Sequence, residues 1–352
     1  MSKVMSDPWC SGVIPPYMLD RLARHASPRV RQRALATLHI DRQERSLRPT
    51  RATLLAQRQA PGAALHPPGQ VQRAVYSAAH GTALPGQLVR TEGQPPSGDL
   101  AADEAYAHLG ATYEFFWKVY RRHSIDNAGL PLVGTVHYGE DYDNAFWNGT
   151  QMVFGDGDGE IFNRFTVAVD IVGHELAHGV IDHEAALQYQ GQSGALNESL
   201  SDVFGVLVKQ YQAGQRADQA DWLVGAGLFT QAVNAKALRS MAQPGSAYDD
   251  PALGKDPQPA HMRDYVHTSD DNGGVHINSG IPNRAFYLAA TALGGPAWER
   301  AGRVWYDVLR DRRLGAQADF ATFARLTVDA ASADPATRQA VSDAWSQVGV
   351  LP

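Results

Sequence analysis

Five residues of this 352-residue chain restrict its fold more than any others: His174, Glu175, His178, Glu198 and Asp202. The first three form the pattern H-E-x-x-H. On a helix, His174 and His178 are four residues apart and share one face. Two neutral imidazoles so placed can grip one Zn²⁺, while Glu175, one step round the helix, reaches a metal-bound water without ligating the metal. Glu198 and Asp202 are again four apart and share a face of a second helix. Glu198 then supplies a third protein ligand and leaves the fourth position open to water, which separates a catalytic zinc from a structural one. Asp202 can hold the far ring nitrogen of a ligand histidine and fix its tautomer. The chain therefore has to pack two helices with polar faces turned inward. The apolar run from Phe165 to Gly173 suits a buried start for the first of them.

A further constellation runs from Asp271 to Gly280, D-N-G-G-V-H-I-N-S-G. Its paired glycines permit a tight turn or a close backbone approach. His276 beside Asp271 reads as an oriented imidazole that could donate to the oxyanion of a tetrahedral intermediate near a zinc site.

With these blocks in the same order as Asn144 to Gly149, Gly155 to Gly159, Gly194 to Glu198 and Leu238 to Met241, the chain from about Val71 onward resembles the thermolysin family of zinc endopeptidases, and within it the protealysin-like group. The resemblance implies an α+β fold with two lobes, β-rich then α-helical. It assigns zinc to His174, His178 and Glu198, the general base to Glu175, oxyanion stabilisation to Tyr189 and His276, and orientation of His276 to Asp271. It gives Asn144, Ala145 and Arg239 the substrate backbone. Phe165, Ile171 and Leu238 match the walls of the pocket for the residue after the scissile bond, an apolar pocket expected to prefer Leu, Ile, Phe or Val. The implied chemistry is hydrolysis of internal peptide bonds, with Glu175 passing a proton from water to the leaving amine.

Composition fits a soluble enzyme. A hydrophobic content of 44% over 352 residues suffices for two or three units with real cores. No apolar run reaches the ~20 residues of a membrane span. A hydrophobic signal core is absent at the N-terminus, which points to a cytoplasmic protein or to secretion by an unconventional route. Cys10 is the single cysteine, so no internal disulfide framework forms.

Residues 20–58 carry ten Arg against Asp20, Asp41 and Glu44, a net of +7. Since the whole chain is at −6 and the other residues before 71 cancel, residues 71–352 hold −13. A basic leader on an acidic body suggests that one docks on the other. A disordered basic arm for nucleic acid is the alternative, countered by the stretch Ile14 to Leu19 and by a helical pattern through Leu38. The Pro-Pro-Tyr-Met-Leu stretch also resembles the pro-segment of protealysin-like precursors. Residues 1–70 are accordingly read as a pro-segment, with 60–70 a cleavable linker, 71–189 as the β-rich catalytic lobe and 190–352 as the α-helical lobe. Pro15 and Pro16 would let the leader occupy the cleft in an uncleavable pose, and Cys10 offers a thiolate for a latency switch on zinc. Expected partners are polypeptide substrates and the chain's own pro-segment, with neither nucleic acid nor membrane, and a monomer is expected.

Helices are expected at 103–124, 195–211, 218–233, 282–292, 296–309, 319–331 and 335–348, and a hairpin turn at Gly155 to Gly159. Of the acidic positions that hold two calcium ions in thermolysin, Asp170 and Asp221 remain, while Lys209, Leu223, Ala226 and Lys236 stand at others. Lys209 is expected to replace the calcium charge and pair with Asp170, leaving little calcium dependence. The competing readings are a non-catalytic zinc module acting through its leader on a partner, and a zinc aminopeptidase. Retention of Glu175, Tyr189 and His276 argues against the first. The lack of a Gly-x-Met-Glu-Asn segment, with Asn144 and Arg239 present, argues against the second.

Overall fold

The computed structural model describes residues 12–58 and 67–352, of which 45–58 are described by backbone alone. Cys10 lies outside the described residues, as does most of the expected linker.

The first lobe is built on strands β1 (Arg73–Ser77), β2 (Gln87–Thr91), β3 (Leu132–Val136), β4 (Ala145–Trp147) and β5 (Met152–Phe154), in the order β2-β1-β3-β5-β4. β1, β3 and β5 run parallel; β2 and β4 are antiparallel edges. The parallel centre is rich in Val, Leu and Met and largely buried, as parallel strands covered by helices require. Helix α3 (Leu100–Tyr120) covers β1 and β3. Asp99 starts it by accepting a hydrogen bond from the Ala102 N–H at 3.1 Å, and Arg121 ends it in the left-handed region at φ 58°.

Helices α4 (Val169–Glu184) and α5 (Gly191–Ala213) carry the two charged motifs and pack on each other. A glycine pair makes the crossing this close. A Cβ on Gly205 would lie 2.3 Å from the Asp170 carbonyl oxygen and 3.0 Å from the His174 nitrogen. A Cβ on Gly173 would lie 3.1 Å from Gly205 Cα. Only backbone meeting backbone lets Glu198 on α5 reach the imidazoles on α4.

The second lobe continues with short pairs β6 (Leu223–Val224) with β7 (Arg239–Ser240) and β8 (Asp249–Asp250) with β9 (Gly254–Lys255), then α6 (Asp271–Asn278), α7 (Gly280–Leu293), α8 (Ala301–Leu309), α9 (Phe320–Ala330) and α10 (Pro335–Gln347). Aromatics of α3 enter the core: Phe116 and Tyr120 meet Phe204 of α5, and Tyr120 stacks on Tyr306 of α8 at 4.3 Å, joining the lobes. Among the described residues no helix is long and apolar enough to cross a membrane.

Three expectations need correction. Residues 218–233 form no helix: Trp222, Gly225 and Gly227 take left-handed φ of 55°, 71° and 87°, which an α-helix cannot accommodate. The helix expected from Pro296 starts only at Ala301. Gly155 to Gly159 is no hairpin but a loop, held by Asp158 Oδ1 accepting the N–H groups of Glu160, Ile161 and Phe162.

The leader forms α1 (Pro16–Leu22) and α2 (Pro28–Arg58), the latter running well past the expected Leu38.

Candidate active site

His174 and His178, on successive turns of α4, turn their Nε2 atoms toward one another at 3.0 Å. Each Nδ1 is engaged elsewhere. His174 Nδ1 is 2.8 Å from Asp202 Oδ1; His178 Nδ1 donates to Asn197 Oδ1 at 2.7 Å and has Ser201 Oγ at 2.9 Å. Both Nε2 lone pairs therefore face the same point. Glu198 completes the triangle, its Oε2 at 3.6 Å from His174 Nε2 and its Oε1 at 3.5 Å from His178 Nε2. A tetrahedral Zn²⁺ with ligands near ~2.0–2.2 Å sets ligand atoms about 3.3–3.5 Å apart, so this N,N,O set fits the ion with a slight opening of the imidazole pair. Glu198 Oε2 is buried and accepts no hydrogen bond among the described residues, an arrangement that a cation would satisfy.

The electrostatics suit a metal. Burial pushes His178 down to about 3, which keeps its ring neutral and able to ligate. Burial pushes the Glu198 carboxyl up, but the charges around it, His276 foremost, more than offset this and hold it at about 2. Asp202 is likewise held well below the carboxylate range, against burial, by Arg239 and then by His174.

The other expected residues surround this triangle. Glu175 is buried, and its Oε2 accepts the Trp147 N–H from β4 at 3.0 Å. Tyr189 and His276 stand against Glu198. The Tyr189 hydroxyl donates to Glu198 Oε1 and lies 3.2 Å from His276 Nε2. Asp271 grips His276 twice, through Nδ1 at 2.6 Å and the backbone N–H at 2.9 Å. Asp271, Asn272, Gly273 and Gly274 all take positive φ, folding the chain back so that the carboxylate of Asp271 reaches the ring five residues on. Burial alone would lower the His276 pKa; Asp271 and Glu198 outweigh it and raise it, which favours the protonated ring, whose Nε2 lies 3.5 Å from Glu198 Oε2.

Arg239 of β7 forms a fork on Asp202 at 2.7 and 2.8 Å, and its remaining Nη1 has no hydrogen-bond partner among the described residues. Ile171 and Leu238 meet over Gly225, where a Cβ would lie 3.2 Å from one and 3.3 Å from the other. Phe165 is buried in the same core cluster, its ring 5.8 Å from Phe162. Asn197, Ser201 and Asn283 were not singled out from the sequence. Asn197 and Ser201 fix His178; Asn283 of α7 donates to Asp202 Oδ2 at 2.8 Å. The four-residue spacing of Asn197 and Ser201 beside Glu198 was a readable signal, whereas nothing local announces Asn283.

Asn144 and Ala145, at the start of the edge strand β4, are buried and engaged by the leader. The Val13 N–H donates to the Ala145 carbonyl at 3.0 Å and the Ile14 N–H to Asn144 Oδ1 at 2.9 Å. Pro15 follows as the cap of α1, and Pro16 is its first residue. Along α2, Arg33 reaches Asp141 at 2.6 Å, Asp158 at 3.8 Å and Glu160 at 3.6 Å. Asp41 accepts from Tyr142 and from Asn144 Nδ2, and Glu44 from Tyr138. The basic leader thus does dock on the acidic body. At the far end of α4, Lys209 Nζ lies 3.2 Å from Asp170 and 2.9 Å from Asp221, the pairing expected from the sequence.

Comparison with known proteins decides the family. The sequence model of the thermolysin metallopeptidase catalytic domain matches residues 68–182, and that of the thermolysin metallopeptidase alpha-helical domain matches 185–350. The chain belongs to the thermolysin family of metallopeptidases. An extracellular metalloprotease of Pectobacterium carotovorum is 56% identical over 98% of this chain and 97% of its own length. Protease PrtS of a Photorhabdus species is 46% identical over 96% of this chain and 92% of its own. The solved precursor of protealysin, a metalloproteinase from Serratia proteamaculans, is 58% identical, with a TM-score of 0.89 over 97% of this chain and all of that one. The sheet-bearing lobe and the helical lobe of this metallopeptidase are thus the thermolysin-like pair, with an N-terminal segment matched by that of a precursor.

Proposed function

We propose that this metallopeptidase is a zinc endopeptidase made as a latent precursor, with residues 1–70 as its pro-segment, 71–189 as the β-rich lobe and 190–352 as the helical lobe. The observation that carries the reading is the convergence of Glu198 on both imidazole Nε2 atoms at 3.5–3.6 Å, with Glu175 on the same helix as the imidazoles and the Tyr189–His276 pair against Glu198. His174, His178 and Glu198 would hold the zinc, which when bound supplies Lewis acidity for the scissile carbonyl and an acidified water. The remaining chemistry belongs to the protein. Glu175 takes a proton from the attacking water and delivers it to the leaving nitrogen. The Trp147 N–H holds that carboxylate in position. His276 Nε2–H and the Tyr189 hydroxyl donate to the oxygen on which charge develops, and Asp271 keeps the His276 ring aimed.

Asn144, Ala145 and Arg239 would hold the substrate backbone. The leader's use of Asn144 and Ala145 supports this, because Val13 and Ile14 present backbone N–H groups there as an extended substrate would. Pro15 and Pro16 directly after them deny the site an ordinary amide to cut. Phe165, Ile171 and Leu238 would make the pocket for a bulky apolar residue after the scissile bond. Export is the expected fate, since the Pectobacterium relative is described as extracellular.

The test is expression of wild type beside Glu175→Ala, following chain mass and cleavage of an internally quenched peptide with Leu or Phe after the scissile bond. Expected is trimming to a start near Val71 with peptide cleavage for wild type. The variant is expected to stay full-length, bind zinc and lose roughly 10²–10⁴ in rate. Wild type that stays silent even after trypsin removes the leader would point instead to a non-catalytic zinc module.

A further inference from the structure

Away from the catalytic triangle, a second group of metal-ligating side chains gathers where the loops after β1 and β3 meet the loop after β5. It comprises His80, His137 and Asp156, whose ligand atoms lie within 4.8 Å of one another. Two backbone bonds zip the first two loops, from His80 N–H to the His137 carbonyl at 2.8 Å and from Gly139 N–H to the Gly81 carbonyl at 2.9 Å. Both histidines sit in the left-handed region, His80 at φ 63° and His137 at φ 54°, a conformation disfavoured for residues with a side chain. The result is that both imidazoles face the carboxylate of Asp156.

His137 carries the argument. Its Nε2 is 2.8 Å from Asp99 Oδ2, and its Nδ1 is 2.8 and 2.9 Å from the two oxygens of Asp156. Asp99 is fixed in turn, because its other oxygen caps α3. This is the arrangement that orients metal-binding histidines: one ring nitrogen donates to a carboxylate, and the other is turned to the ligand side. His80 Nδ1 stands 3.6 Å from Asp156 Oδ2 and is exposed, so water can complete a coordination sphere. The 3.6 Å between His80 and Asp156 equals the widest separation of the catalytic triangle, while the hydrogen-bonded 2.8–2.9 Å between His137 and Asp156 would open around an ion, as the 3.0 Å imidazole pair of that triangle must.

We propose that His80, His137 and Asp156 form a second, surface binding site for a divalent transition-metal ion, oriented by Asp99. The N,N,O set suits Zn²⁺, Co²⁺ or Ni²⁺ and not Ca²⁺, which needs several oxygen ligands. A bound ion would cross-link the three loops at one end of the parallel strands.

The probe is Zn²⁺ alone, on the full chain in a Glu175→Ala background that prevents self-cleavage. Bound metal is measured by equilibrium dialysis and elemental analysis, and melting is followed as zinc is added beyond the first equivalent. Expected is a second equivalent in the parent that raises its Tm. His80→Ala, at an exposed position that leaves packing intact, should lose both the second equivalent and the rise while keeping the first. Asp99→Asn preserves the helix cap and should weaken the second equivalent by roughly 10–100-fold, as loss of an orienting carboxylate does. One equivalent in the parent, or a second that survives His80→Ala, overturns the proposal.

Discussion

At the active centre, ring nitrogens and carboxylates are set by partners one layer out. Two outcomes follow. His276→Ala should cost on the order of 10²–10³ in kcat with KM little changed, because the donor acts on charge that develops during reaction; steady-state kinetics of the matured enzyme would show a KM effect if the ring only binds substrate. The second concerns pH. Burial depresses His178 from 6.5 to about 3, so folding disfavours its protonation. Its contribution to stability is complete above 6.5 and falls away as pH drops from there toward about 3. His276, raised above 6.5, acts oppositely and weakens the fold only on the alkaline side. Melting of the metal-free chain should therefore show acid loss beginning near 6.5, and His178→Gln should flatten that limb. That His174, His178 and Glu198 gather was legible because four-residue spacing on a helix is a local code. Asn283 was not, since its contact with Asp202 spans 81 residues and leaves no mark in either neighbourhood.

Between elements, the α4–α5 crossing sets the metal geometry. Gly205→Ala places a methyl group against the backbone of Asp170 and His174. Overpacking of this kind typically costs about 1–3 kcal/mol. Here it should also lower zinc affinity, because Glu198 would be lifted from the imidazoles. Denaturant melts with metal titration would separate the two effects, and unchanged affinity would mean that the helices adjust elsewhere. Beside this crossing, the Lys209–Asp170 contact should make the fold insensitive to EGTA while zinc is retained, and Lys209→Met should cost roughly 1–3 kcal/mol, because Asp170 keeps the N–H groups of Ile171 and Gly225 but loses its counter-charge. Melting with and without EGTA checks both. Most helices were readable from apolar periodicity. Residues 218–233 misled because Trp222, Leu223, Val224, Leu228 and Phe229 supply apolar spacing, while the left-handed turns between them depend on the packing of the finished lobe. Sheet order, likewise, joins strands far apart in sequence and has no local signal.

Across the whole molecule, charge foretold that the leader lies on the body, but not how. Of the basic residues, Arg33 alone among the described side chains of α2 enters an acidic cluster on the body, whereas Asp41 and Glu44, which a charge count sets on the wrong side, take hydrogen bonds from Tyr142, Asn144 and Tyr138. Shape and hydrogen bonding specify the dock, and bulk charge only favours it. The leader grips the body through Val13, Ile14, Arg33 and Asp41, all upstream of the linker, so cutting that linker removes no part of the grip. What it removes is the tether. A continuous chain holds its leader at an effective concentration on the order of millimolar, whereas a severed leader obeys ordinary mass action. Severed enzyme should therefore stay silent in concentrated stock and awaken on dilution, so that the volume into which the molecule is released, as much as the cut itself, decides when it begins to act.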